Sequence, residues 1–149
     1  MKRYILLALG FILFSCDPES PIDCCTNVDT AIFIHYQNEL GEDLIDSDEN
    51  HGQDQIRIYF KEGNEFVYAY DNQLDSPNHY EVIDMDDQLL LRLFPSDQYE
   101  GNFSTTLIEL NETKIDTVLA EFEFVNGVQC KKVWVNGIEM DGRNFSLIR

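Results

Sequence analysis

The chain has 149 residues, with 28 Asp+Glu against 10 Lys+Arg, a formal charge of −18, and 12% aromatic residues. That charge has the wrong sign to displace counterions from a phosphate backbone, which excludes nucleic acid as a partner. The aromatic content excludes a disordered chain, and the length suits one domain with a real core.

Lys2-Arg3 is followed by Tyr4 to Phe14, an apolar run broken only by Gly10. A charged pair ahead of about eleven apolar residues matches the roughly 7–15 of a secretory signal. A spanning helix needs about 20, so the run is too short for a permanent one. Leu13-Phe14-Ser15-Cys16 resembles the bacterial lipobox: an apolar residue, a loosely defined position, a small residue and a cysteine. Ser15 then precedes the cut and Cys16 becomes the lipidated N-terminus, with Phe14 bulkier than usual at its position. The plainer reading is a buried or disulfide-bonded cysteine after an ordinary signal. A small residue and a cysteine together at the end of the run favour lipidation. Acylation anchors because each buried methylene contributes about 0.8 kcal/mol, and two or three chains hold far longer than one. Removing residues 1–15 takes away Lys2 and Arg3 and leaves 134 residues with 8 Lys+Arg against 28 Asp+Glu, a formal charge of −20. An anionic membrane surface repels such a body, while the charge attracts cations and favours solubility.

Residues 16–28 read as an acidic tether with two prolines and no periodicity. Cys24 and Cys25 lie in it, and Cys130 is far downstream. Adjacent cysteines do not chelate one ion well, and no Cys-x-x-Cys or paired histidine exists, so a metal–thiolate site is disfavoured. In an oxidising envelope, one bridge from Cys24 or Cys25 to Cys130 would leave one thiol over; simple buried thiols are the alternative.

From residue 30 onward apolar residues recur at every second position, the period of a strand. Ile32, Ile34 and Tyr36 share a face, as do Ile56, Ile58 and Phe60, then Phe66, Tyr68 and Tyr70, then Leu89, Leu91 and Leu93, and finally Phe145 and Leu147. Turn clusters such as Lys61-Glu62-Gly63-Asn64 and Asp75-Ser76-Pro77-Asn78 separate the runs, and 84–92 reads as strand. The expectation is an all-β chain: residues 29–149 form a single antiparallel β-sandwich, immunoglobulin-like or transthyretin-like, of about eight or nine short strands, with a β-barrel as second choice.

Between the first runs lies the acidic loop Asp46-Ser47-Asp48-Glu49-Asn50-His51-Gly52-Gln53-Asp54. Asp46, Asp48, Asn50 and Asp54 are candidate Ca²⁺ ligands, since that ion takes six to eight oxygens that a tight turn can gather. His51 intervenes before the glycine, and Arg57 stands where an EF-hand has its bidentate glutamate, so a solvated acidic loop is the competing reading.

Asn126-Gly127 and Asn136-Gly137 are two-residue hairpin signals, because a type I′ turn needs positive φ at two successive positions. The implied register sets Val118, Ala120 and Glu121 opposite Val135, Val133 and Lys132, then Val135 opposite Ile138, Val133 opposite Met140 and Lys132 opposite Asp141. The resulting three-stranded meander has one apolar face, including Phe122, Ile138 and Met140, and one face with the charge row Glu121–Lys132–Asp141. Trp134 falls on that polar face beside Leu119, with Cys130 two residues away; it is either covered by the tether or a loop, or exposed as a recognition surface.

Several short segments together resemble small Bacteroidetes lipoproteins whose function is unestablished: Gly41-Glu42-Asp43-Leu44, Ile56-Arg57-Ile58-Tyr59-Phe60, Leu91-Arg92-Leu93-Phe94, Leu110-Asn111-Glu112-Thr113 with Asp116-Thr117, and Lys132-Val133-Trp134-Val135-Asn136-Gly137. The resemblance implies compartment and fold class rather than an activity. The acidic residues after Cys16 also resemble the export signal of surface-displayed lipoproteins in that group, against the plainer reading of a linker. The implied location is the cell envelope, anchored in the outer membrane and surface-exposed rather than periplasmic. Asp29-Thr30-Ala31 and Asp116-Thr117-Val118 match the O-glycosylation pattern of such organisms.

For catalysis the yield is poor. His35, His51 and His79 do not neighbour a serine or cysteine in a nucleophile setting such as Gly-x-Ser-x-Gly. The chain reads as a non-enzyme: a lipid-anchored binding or accessory module for a protein or glycan, with Tyr59, Tyr68, Tyr70, Tyr80 and Trp134 as surface candidates. The alternatives are an assembly subunit pairing through an exposed strand edge and a Ca²⁺-dependent domain.

Overall fold

The computed structural model describes residues 27–45 and 56–149. Among them are eleven strands and no helix: β1 Asn27–Asp29, β2 Ile32–Gln37, β3 Arg57–Glu62, β4 Glu65–Tyr68, β5 Tyr80–Met85, β6 Gln88–Leu93, β7 Phe103–Asn111, β8 Lys114–Glu123, β9 Gly127–Val135, β10 Ile138–Glu139 and β11 Asn144–Ile148. They form two packed sheets. One has seven strands, in the order β1-β9-β8-β7-β3-β4 with β10 also on β9; the other has the order β11-β2-β6-β5. The architecture is a β-sandwich and not a closed barrel.

The period-2 runs face the interior as expected. Ile32, Ile34 and Tyr36 from β2 and Leu91 and Leu93 from β6 meet Ile58, Ile108, Val118, Phe122, Val133 and Val135 of the larger sheet, all buried. Each fully buried large apolar side chain contributes about 1.5–3 kcal/mol, and these rows hold the two layers together. One run is exposed instead: Phe66, Tyr68 and Tyr70 share a face, and all four residues of β4 are exposed, Val67 included.

Three expectations change. The sheets are mixed rather than purely antiparallel, because the first and last described strands add in parallel: β1 on β9 and β11 on β2. A parallel neighbour needs a long crossover, and almost the whole domain lies between each of these partners. Among the described residues the strand count is eleven, not eight or nine. Residues 84–92 are a hairpin, with Asp86 and Asp87 both at positive φ between β5 and β6.

The C-terminal register holds in its middle and shifts at its ends. Val118, Ala120 and Glu121 pair with Val135, Val133 and Lys132, and Val135 pairs with Ile138 across the positive-φ turn Asn136-Gly137. Beyond Glu121 the pairing resumes as Phe122 with Cys130 and Glu123 with Gln129, so Lys131 is an extra residue on β9. Such a bulge reverses the facing of what lies beyond it. Cys130 therefore points into the core, not onto the face of Trp134. At the other end β10 stops at Glu139, so Asp141 does not complete the charge row; Lys132 Nζ lies 3.9 Å from Glu139 Oε1 instead. Ile138, expected on the inner face, is 67% exposed on this two-residue stub.

The two sheets are also tied by charge. Asp116 lies on the inner face of β8 and is buried. The guanidinium of Arg149, just past β11, donates from Nε to both carboxylate oxygens at 3.1 Å and from Nη2 to Oδ1 at 2.7 Å. Asn136 Nδ2 donates to the same Oδ1 at 2.6 Å, while Asn136 Oδ1 accepts from Thr117 N at 2.9 Å. The Asp116 carboxylate holds the guanidinium above its ordinary value. Burial, with Asp116 beside it, pushes the Tyr36 phenol well up.

Two stability predictions follow from these contacts. Replacing Arg149 by leucine leaves a buried carboxylate short of its cation and should cost about 2–3 kcal/mol, below the full buried-pair figure because Arg149 is partly exposed. A urea midpoint unchanged within error would show that the pair behaves as a surface one. At Gly127 φ is +133°, and an added Cβ would stand 2.0 Å from the Asn27 carbonyl oxygen. Gly127→Ala should therefore detach β1, with loss of about 1–3 kcal/mol and faster amide exchange over 27–29 while the rest of β9 stays protected.

Candidate functional site

Strand β4 is an edge: it pairs with β3 on one side and no described strand lies on the other. The register sets Tyr59 opposite Tyr68, and Tyr70 continues the row beyond the strand. Tyr59 meets Tyr68 edge-on, with ring centroids 5.7 Å apart and planes at 60°. Tyr68 and Tyr70 stand 6.4 Å apart with planes only 6° from parallel. They are 48% and 57% exposed, and Phe66 beside them is 43% exposed. The alternation of a strand points residues 66, 68 and 70 one way, so the row is a direct consequence of sequence spacing.

The base of the ladder is fixed. Tyr59 donates its hydroxyl to Glu109 Oε2 at 2.8 Å, and this acceptor pushes the phenol upward. Arg57 Nη1 approaches Glu109 Oε1 at 3.4 Å, so a cation, a carboxylate and the ring stand in one line across β3 and β7. Around the corner, between β4 and the edge strand β5 of the second sheet, a groove of about 300 Å³ is lined by Arg57, Tyr68, Asn78, Tyr80 and Glu81, with Ile56 and Val82 at its floor. Glu81 is in turn held by Arg92 Nη1 at 3.1 Å and by the Ser76 hydroxyl. Parallel exposed rings beside fixed donors and acceptors suit a ligand with both flat apolar faces and hydroxyls.

Trp134 lies beside Leu119 and Glu139 on the outer face, as the hairpin register implied. It is partly covered by Phe103, with ring centroids 6.2 Å apart, and by Lys132 Nζ, 6.0 Å from the indole centroid. Leu119 is half-buried under the same cover and borders a shallow groove of about 160 Å³ with Lys61 and Glu100. Cys16, Cys24, Cys25 and the loop residues Asp46, Asp48, Asn50, His51 and Asp54 lie outside the described residues. Among the described residues no group of three or more His, Cys, Asp or Glu is placed to hold a metal ion, and no helix is long and apolar enough to cross a membrane. Of the two glycosylation matches, Asp116 is buried in its ion pair and Asp29 is held by Arg143 Nη1 at 2.7 Å.

One grouping escaped the sequence reading. The parallel pairing of β11 on β2 sets Ser146 opposite His35, whose Nε2 is bonded to Asp43. Ser146 Oγ is 3.4 Å from His35 Nδ1, and Asp43 Oδ2 accepts from Leu89 N at 3.2 Å. These are the residue types of a hydrolytic triad, but the imidazole is buried beneath the 38–43 turn. Asp43 divides its oxygens between that ring and the backbone of β6. The trio clamps the 38–45 segment onto the outer face of the smaller sheet. Only knowledge that β11 runs alongside β2 could have revealed it.

Burial pushes the Cys130 thiol up to about 11. A thiol held protonated in the fold resists alkylation. Iodoacetamide at pH about 8 should leave Cys130 unmodified in the native chain and label it once urea unfolds the protein, read by peptide mass. The raised value also sets a sign: the contribution to stability is complete below the unfolded value, about 8.5, and is lost as pH rises toward about 11. Cys130→Ala should remove that alkaline slope.

No protein-family model, no curated protein and no solved structure matches this chain.

Proposed function

We propose that the protein is a non-catalytic carbohydrate-binding module of a bacterial cell envelope, held to the outer membrane by acyl chains on Cys16 and displayed at the cell surface. The carrying observation is the ladder Tyr59–Tyr68–Tyr70: two parallel, half-exposed rings on an edge strand, beside a groove with fixed polar walls. Sugar rings present flat C–H faces that stack on tyrosine and equatorial hydroxyls that need donors and acceptors, and both are present here. The body's acidity favours a neutral glycan over an anionic one.

The lipobox at 13–16 and the resemblance to Bacteroidetes lipoproteins support the anchor. Topology makes anchor and ladder compatible. The chain enters at β1, one edge of the seven-stranded sheet, and the ladder stands on β4, the opposite edge. Five strand spacings of about 4.8 Å separate them, roughly 24 Å. A tether on one edge thus leaves the other free to meet a ligand.

A second reading follows from the bare side of β4, which could take a strand from a partner protein in place of a glycan. The two differ in what they need: stacking needs the rings, whereas strand addition needs the backbone.

The test is to screen the secreted, Cys16→Ser chain against a panel of neutral oligosaccharides and titrate the binders by calorimetry. Tyr68→Ala and Tyr70→Ala should each weaken binding about tenfold, or about 1.4 kcal/mol, with unchanged melting temperature. Binding of full strength in the double variant would remove the ladder from the site. Failure to bind any saccharide, with a protein captured equally by the wild type and the double variant, would favour strand addition.

A further inference from the structure

We propose that the rim of the sandwich where the chain enters β1 seats against the lipid surface, with Phe124, Val125 and Val28 dipping into the headgroup layer. The proposal rests on the Cys16 anchor proposed above. Phe124 directly follows Glu123, which pairs with Gln129, and Val128, next to Gln129, is registered with Val28 on β1. Phe124, Val125, Val128 and Val28 are therefore neighbours on the rim where β8 ends, β9 begins and β1 pairs with it. Val28 and Val125 are each 64% exposed and Phe124 is 46% exposed. The Phe124 ring is fixed rather than loose, since Tyr99 packs edge-on against it at 5.0 Å.

Charge permits this rim to approach the bilayer. The mature chain carries a formal −20 and is repelled by an anionic bilayer almost anywhere it turns. Here two carboxylates flanking the apolar residues are matched: Glu123 with Lys131 at 2.7 Å and Asp29 with Arg143 at 2.7 Å. The bulge that inserts Lys131 supplies one of these cations.

Chain length brings the rim to the membrane. Eleven residue steps join Cys16 to Asn27, an extended reach of roughly 36–40 Å, so the tether keeps the rim at high effective concentration near the bilayer. Weak interfacial partitioning by a few apolar side chains then suffices. A second copy of the chain fits less well, because three such side chains fall far short of the roughly 800 Å² per partner that a stable interface buries.

The experiment uses the acylated full chain reconstituted into phosphatidylethanolamine–phosphatidylglycerol vesicles, with amide hydrogen exchange read by mass spectrometry. Peptides covering 122–130 should exchange about tenfold more slowly than in the unanchored Cys16→Ser chain mixed with the same vesicles, while peptides covering 65–71 should not change. The double variant Phe124→Ser/Val125→Ser should float with the vesicles yet lose that protection. Unchanged exchange over 122–130 on anchoring overturns the proposal. So does equal protection in the Cys16→Ser chain at raised protein concentration, which would mean self-association. A Cys16 peptide of unmodified mass would instead sink the anchor, and the rim is then judged on a chain tethered to nickel-chelating lipid by a hexahistidine in place of residues 1–16.

Discussion

A single buried carboxylate sets the terms on which this sandwich closes. Asp116 occupies an inward position of β8, where period and neighbours call for an apolar residue, and its charge must be answered inside the core. Arg149, just past β11, answers it. That contact requires β11 to lie on β2, where Arg149 N also bonds the Gln37 carbonyl at 3.0 Å, and requires the Asn136-Gly137 turn to aim Asn136 at the same oxygen. Two sheets, one hairpin turn and the C-terminus therefore depend on one another. Buried pairs of this kind add little net energy, since desolvation offsets attraction. Losing either partner, however, leaves an uncompensated buried charge.

The first and last described strands have a second consequence. They add in parallel to β9 and β2, so the edges of the two sheets are β1 and β4 in one and β11 and β5 in the other. Open strand edges invite aggregation unless they are short, charged or used. Here β4 spans four residues and its hairpin carries Glu62 and Glu65 at the turn. Between those charges and Ala69 stand exposed rings rather than lysines or prolines. An aromatic edge that is kept short and flanked by acid is consistent with a surface retained for a ligand. The same arrangement sends the β1 edge and the aromatic edge to opposite sides of one sheet.

What was legible in the sequence was whatever short-range chemistry determines. Alternation over 32–36, 56–60 and 89–93 exposed the core rows, and Asn136-Gly137 revealed a turn whose two positive φ values are costly for other residues. Pairing between distant segments was not legible, because hydrogen bonds from β1 to β9 or β11 to β2 leave no local signature. The Ser146–His35–Asp43 grouping and the Asp116–Arg149 pair both depend on those contacts, which is why neither was visible. The facing of 66–70 was hidden for a related reason: period 2 says which residues share a side, not which side the second sheet will cover.

The bulge at Lys131 joins these threads, since one inserted residue has three effects. Without it Cys130 would share a face with Lys132 and Trp134; with it the thiol is buried and protonated, and Lys131 and Lys132 stand exposed in succession. The two-residue Asn126-Gly127 turn implied by the dipeptide then no longer fits, and Gly127 takes φ +133°, a value open to glycine. That conformation, and the missing Cβ, let the Asn27 backbone approach closely enough for β1 to pair at all. β1 pairs where it does because β9 is one residue too long for its partner. The cation beside Glu123 and the close approach of Asn27 to Gly127 both trace to that insertion.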